Sequence, residues 1–123
     1  MRVLLDTHAF LWLVTGDRRL SDAAREVFLA AENVLYLSAV SGLEIAVKYS
    51  LGRLKLAMPP REFVEQRLVN NGLRPMPIAM SHTYRLAHLP FHHRDPFDRL
   101  LISQAIEEDV PILTNDAAIR SYD

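Results

Sequence analysis

Arg2-Val-Leu-Leu-Asp6 is the stretch that decides how this 123-residue chain folds. A short, continuous apolar run that stops at a carboxylate reads as a buried strand. The segments after it follow a regular alternation. Thr7 to about Val14 reads as a short helix closed by Gly16. Ser21 to about Ala31 reads as a second, with Ser21 as its cap and Ala24, Val27, Phe28 and Ala31 at helical spacing. Val34 to Leu37 is the next strand. Ser38 then caps a helix that ends at Gly52 and whose apolar face is expected along Val40, Leu43, Val47 and Leu51. Arg61 to Asn71 is helical after Pro59-Pro60 and stops at Gly72. Leu73 to Ile78, interrupted by Pro75 and Pro77, fits only an edge strand or an extended segment. Met80 to Leu86 is a short helix, and Pro96 to Asp109 a long one with Phe97, Leu100, Leu101, Ala105 and Ile106 inward. Val110 to Thr114 is the last clear strand, and Ala117 to Tyr122 a short terminal helix. Strands alternating with helices predict the α/β class: a mainly parallel central sheet of four to five strands flanked by helices, in one domain over residues 1–123.

Composition narrows the function. Hydrophobic residues make up 50% and charged residues 24%, as in a soluble globular domain. Fourteen basic residues against fifteen acidic ones give a net charge of −1, so bulk charge does not tie the chain to nucleic acid. Twelve of the basic residues are arginine, which suits bidentate contact with phosphate but equally reflects genomic base composition. The absence of cysteine excludes a disulfide scaffold, an iron–sulfur site, a thiolate zinc site and a cysteine nucleophile, and it fits a reducing compartment. Met1 to Asp6 lacks the apolar stretch of a signal peptide, and no window approaches 18 uncharged apolar residues. A cytoplasmic protein without a membrane span is expected.

Parallel sheets bind ligands outside the carboxyl ends of their strands, and acids gather there. Asp6 closes the first strand and Asp116 follows the last, in Ile112-Leu-Thr-Asn-Asp116. Glu44 lies about two turns into the helix after the second strand, while Asp95 and Asp98 open the long helix. Carboxylates brought together repel, so such a cluster requires protons or a divalent cation. Oxygen-only ligation suits Mg²⁺ or Mn²⁺. Each acid also has a purely structural role open to it. Asp6 and Asp116 precede helices and are N-cap candidates, and Asp95 is a natural cap before Pro96. Asp98 would favour the helix dipole, although its neighbours at i+4 and i+7 are Ile102 and Ala105. Glu44 has Lys48 at i+4, the favourable order for a surface ion pair. His8 borders the same region, and His92-His93-Arg94 precede the acidic helix start; no histidine spacing resembles a zinc site.

Four segments in order resemble the PIN-domain ribonucleases, specifically the VapC-like toxins of type II toxin–antitoxin modules. They are Leu4-Leu-Asp-Thr-His-Ala-Phe-Leu-Trp12; Glu44-Ile-Ala-Val-Lys48 with Leu51-Gly-Arg-Leu54; Arg94-Asp-Pro-Phe-Asp-Arg-Leu-Leu-Ile102; and Leu113-Thr-Asn-Asp116. Together they cover essentially the whole chain. The resemblance implies an acidic quartet at Asp6, Glu44, Asp98 and Asp116, with Asp95 as a supporting acid and Thr114 as a hydroxyl that orients a ligand or water. It implies Mg²⁺- or Mn²⁺-dependent hydrolysis of RNA, with products carrying 5′-phosphate and 3′-hydroxyl ends. It also implies a homodimer restrained by a small cognate antitoxin. Family members often continue into a short final strand past the position of Asp123, which leaves the last strand of the sheet in question.

Neutralising four carboxylates would turn the net charge from −1 to +3, in keeping with a nucleic-acid substrate. Arg94, Arg99, Lys48 and Arg53 fall near the expected rim as phosphate contacts, with solvated surface charge as the equal alternative. Two other functions compete. A non-catalytic PIN-fold interaction module would keep the fold and lose the acids, yet the quartet is intact. A phosphotransfer domain would need a late lysine, if receiver-like, or a second acid at position 8, if haloacid-dehalogenase-like; neither is present, and His8 occupies that position.

Overall fold

The computed structural model of the chain describes residues 1–92 and 94–114. In chain order the elements are β1 (Arg2–Leu5), α1 (Thr7–Thr15), α2 (Asp22–Leu29), β2 (Val34–Ser38), α3 (Ala39–Ser50), α4 (Pro60–Asn71), β3 (Arg74–Met76), α5 (Met80–Leu86), α6 (Pro96–Glu108) and β4 (Ile112–Leu113). The four strands form one sheet in the order β3-β2-β1-β4, and every pairing is parallel. Strand order therefore reverses at β1, which pairs with β2 on one side and β4 on the other. A crevice opens at such a switch point, beyond the carboxyl ends of the strands.

β1 is central because its side chains serve both faces. Val3 and Leu5 join Phe10, Leu35, Leu37, Ile45 and Phe63 in one core cluster, and Leu4 joins Leu101, Ala105, Val110 and Met76 in another. Side chains alternate across a strand, so a run of apolar residues must be covered on two sides. α1, α3 and α4 cover one face and α6 the other. β3 lies at the edge, where Pro75 interrupts no interior ladder.

Local chemistry sets the boundaries. Ser21 and Ser38 accept hydrogen bonds from the amides of Ala24 and Val40, capping α2 and α3. Gly16 ends α1 at φ 67°, where a Cβ would be strained. α2 stops at Leu29, two residues short of the expected Ala31. The last strand spans only Ile112–Leu113, rather than Val110 to Thr114. The helix expected over 117–122 lies outside the described residues, as does Asp116.

Two helix faces are rotated from the sequence expectation. On α3 the buried residues are Val40, Ser41, Glu44 and Ile45, while Leu43 is 48% exposed and Leu51 60%. Of the apolar stripe picked out by spacing, Leu43 and Leu51 face outward and Val47 is only half-buried, because the inward face carries polar groups. On α6, Leu101 and Ala105 are buried as expected and Phe97 and Leu100 are half-buried, but Ile106 is exposed. Arg99, Ser103 and Gln104 occupy buried positions instead.

This rotation is testable. Ile45→Ala is expected to cost about 2–5 kcal/mol of unfolding free energy in urea titration. Leu43→Ala, on the exposed side, should cost no more than about 0.5 kcal/mol. Equal costs would place the buried face of α3 elsewhere.

Candidate active site

Asp6 is the first residue beyond β1 and occupies the N-cap position of α1, yet its carboxylate makes no capping hydrogen bond. It is only 3% exposed. The Thr114 hydroxyl donates to Asp6 Oδ2 at 3.0 Å. That contact follows from register: Leu5 pairs with Leu113, so the residues after β1 and β4 emerge side by side. The other oxygen, Oδ1, is buried with no hydrogen-bond partner among the described residues. An N-cap bonds the amides of the second or third residue of its helix; Asp6 makes no such bond, and its side-chain partner is Thr114.

Glu44 faces it from α3. Its field acts on Asp6, and it is itself 2% exposed. A buried tie holds the two helices in this relation: Thr7 Oγ1 and Ser41 Oγ lie 2.8 Å apart. Thr7 follows Asp6, and Ser41 stands one turn before Glu44 on the same face, so one hydroxyl pair registers both acids. Neither residue stood out in the sequence. The available signal was the Ser41/Glu44 spacing of three, which puts two polar groups on one side of α3. Glu44 Oε2 accepts from Lys48 Nζ at 2.5 Å, and Glu44 Oε1 is buried without a partner among the described residues. The i+4 ion pair therefore forms, but its acid is a core residue and not a surface one.

Asp95 and Asp98 stand at the start of α6. Asp95 Oδ1 accepts from the amides of Phe97 at 2.8 Å and Asp98 at 3.2 Å, so the capping role of Asp95 is real. Asp98, half-buried in the first turn, and Asp95 both act electrostatically on Lys48. Lys48 thus senses Glu44, Asp95 and Asp98, while Asp6 senses Glu44. Among the described residues no three acids or histidines close into a tight cage around one point. What is present is a rim of carboxylates with an ammonium among them.

Electrostatics follow from burial. Desolvation raises the Asp6 pKa above the ordinary 3.8, and the Glu44 charge pushes it the same way, against the Thr114 hydroxyl, the charge of His8 and the backbone amide of Thr7. For Lys48, burial works against the ammonium. The hydrogen bond and charge of Glu44, with the fields of Asp95 and Asp98, outweigh that effect and raise its pKa.

A cleft of about 550 Å³ runs from this rim between α1 and the segment after α3. Thr7, His8, Trp12, Glu44 and Lys48 line it near the acids, and Arg53, Lys55 and Arg67 line it further out. Arg94 is exposed on the approach to α6. Arg99 is placed differently from the sequence expectation of a phosphate contact. It is 7% exposed, it donates to the carbonyls of Pro90, Leu89 and Leu86, and its guanidinium lies 4.1 Å from the Phe91 ring centroid. It anchors the α5–α6 connection. Trp12 is half-buried beside Ala9, Leu20 and Ala24, and its ring lies 5.8 Å from that of His8.

Relatives share this architecture. The PIN domain family matches residues 3–123. Ribonuclease VapC22 of Mycobacterium tuberculosis (strain ATCC 25618 / H37Rv) is 32% identical over 121 residues, which cover 98% of this chain and 91% of that protein. The crystal structure of VapBC2 from Rickettsia felis, bound to a DNA fragment from their promoter, contains a chain of the same fold. It superposes with a TM-score of 0.73 at 18% identity, covering 99% of this chain and 93% of that one. An acid ending the central strand of a parallel sheet, a second acid from the next crossover helix, and a family match along nearly the full length place this chain in the PIN-domain family, among its VapC-like members.

Proposed function

We propose that the chain, as a single nuclease domain over residues 1–123, is a metal-dependent endoribonuclease and the toxin of a type II toxin–antitoxin module. The observation that carries this reading is the pair of orphaned, buried oxygens, Asp6 Oδ1 and Glu44 Oε1. A buried carboxylate oxygen without a donor is costly, and a hard divalent cation offsets that cost best. The donor set fits: it is all oxygen, and the chain has no thiolate to favour a softer ion. Asp6, Asp98 and Asp116 would hold Mg²⁺ or Mn²⁺, with Glu44 supporting it or a second ion; Asp116 lies outside the described residues. Bound there, the cation would neutralise the acids and the phosphate and make a water nucleophilic at neutral pH.

The chain's own residues prepare that step. Thr114 fixes the rotation of the Asp6 carboxylate and leaves Oδ1 facing the rim. The Thr7–Ser41 pair holds α1 against α3, which keeps Asp6 and Glu44 in register. Asp95 organises the first turn of α6 and so presents Asp98. Lys48, Arg53 and Arg94 would meet the RNA backbone, adding a salt-dependent term to binding. Hydrolysis adds water across the P–O3′ bond and leaves a 5′-phosphate and a 3′-hydroxyl. The VapC name of the 32% identical relative and the VapBC complex of the same fold support the further proposal of an antitoxin partner; a homodimer belongs to the same reading. A cytoplasmic location belongs to the same reading; among the described residues no helix is long and apolar enough to cross a membrane.

Two outcomes are expected. Purified protein with Mn²⁺ should cleave RNA from a mixed tRNA and mRNA pool, leaving 5′-phosphates by end-mapping. EDTA or Asp6→Asn should reduce the rate by on the order of 10²–10³-fold. Cleavage that survives both would remove the acids from the mechanism. The second outcome concerns stability. The folded chain holds the Asp6 proton to a higher pH than the unfolded chain, whose carboxyl ionises near 3.8. Stability in EDTA therefore falls as pH rises from 3.8 through the folded value. Asp6→Asn should melt higher than the native protein at neutral pH, with the gap closing in acid below 3.8. A variant that melts lower at neutral pH would make Asp6 a structural residue.

A further inference from the structure

Lys48 stands out because it is a cation already within the acidic rim. Its ammonium lies 2.5 Å from Glu44 Oε2, within the fields of Asp95 and Asp98, on a half-buried side chain whose acid partner is 2% exposed. A surface ion pair of this spacing contributes little to stability. This one differs because Glu44 has no water-facing alternative: one of its oxygens rests on Lys48, and the other is buried without a partner among the described residues. Removing one member of such a pair leaves the other charge uncompensated in the interior.

We infer that Lys48 is a resident counter-cation, which holds Glu44 through Oε2 while no divalent ion is bound and is driven off by charge repulsion when a divalent ion reaches Oε1 of the same carboxylate. The inference rests on the metal reading of the rim and adds a competition to it. The carboxylate that would support a divalent ion is already committed to an ammonium on its own helix, one turn away. Loading is then an exchange of one cation for another. The released lysine has a four-carbon stem and lines the cleft beside Glu44, so its charge becomes available to a phosphate at the moment the metal arrives. The pair would keep the acids in place in the empty protein and raise the metal concentration needed to load it.

The test uses the full chain and Mn²⁺ alone. Isothermal titration calorimetry should show Lys48→Met binding Mn²⁺ about tenfold more tightly than the native protein, since no ammonium then repels a cation arriving at the same carboxylate. In EDTA the same variant should melt several degrees lower, and Lys48→Met/Glu44→Gln should recover most of that loss, because the neutral amide needs no counter-ion. Equal or weaker Mn²⁺ binding by Lys48→Met, with native binding intact, would overturn the exchange and leave the metal reading standing. No Mn²⁺ binding by either protein would overturn both. A Lys48→Met melting temperature in EDTA equal to the native value would show that Lys48 does not hold Glu44.

Discussion

Keeping the Asp6 carboxylate out of water, in the field of Glu44, is the constraint on which the rest of the structure depends. Asp6 is 3% exposed and Glu44 2%, and each keeps one oxygen buried without a hydrogen-bond partner among the described residues. Burial of like charges is unfavourable on both counts, desolvation and repulsion. The chain meets that cost only in part, with the Thr114 hydroxyl on Asp6 and the Lys48 ammonium on Glu44. A fold optimised for stability alone would replace these acids with apolar residues of similar size. Their retention at the switch point of the sheet is what gives the rim its chemical character.

The backbone supplies the precision. β1 is hydrogen-bonded on both edges, to β2 and to β4, and its side chains are gripped by core clusters on both faces. Its end is therefore held from both edges and both faces, and Asp6 follows directly on it. Glu44 is placed by a helix that starts directly from β2 through the Ser38 cap and is pinned to α1 by Ser41. Asp98 comes from the opposite layer, on a helix packed against the Leu4 side of the sheet. Asp6, Glu44 and Asp98 thus come from distant parts of the chain, and each follows an element whose position the sheet dictates.

Much of this was legible in the sequence. The apolar run before Asp6, the Ser21 and Ser38 caps, the Asp95-Pro96 helix start and the edge character of the Pro75 strand all rest on local chemistry that tertiary contacts leave unchanged. The face of α3 was not legible in the same way. Hydrophobic spacing selects Val40, Leu43, Val47 and Leu51, whereas the helix turns Ser41 and Glu44 inward with Val40 and Ile45. Periodicity assumes that the inward face is apolar, and that assumption fails where a site is built into it. Arg99 misled for a related reason: an arginine beside two acids looks like a surface cation, but its donors reach loop carbonyls and its ring contact is Phe91. Its long stem lets a charged residue serve as an internal anchor, and nothing in local spacing announces that.

The central claim is that the buried acids of the rim form a divalent metal site. Its most direct test is a crystal structure of the full chain grown with Mn²⁺, with the ion located by anomalous scattering. The account predicts an anomalous peak about 2.0–2.2 Å from an Asp6 oxygen, with the Lys48 ammonium withdrawn from Glu44. An anomalous map with no peak at Asp6, in crystals that bind Mn²⁺ elsewhere and keep the Lys48–Glu44 pair closed, would contradict it.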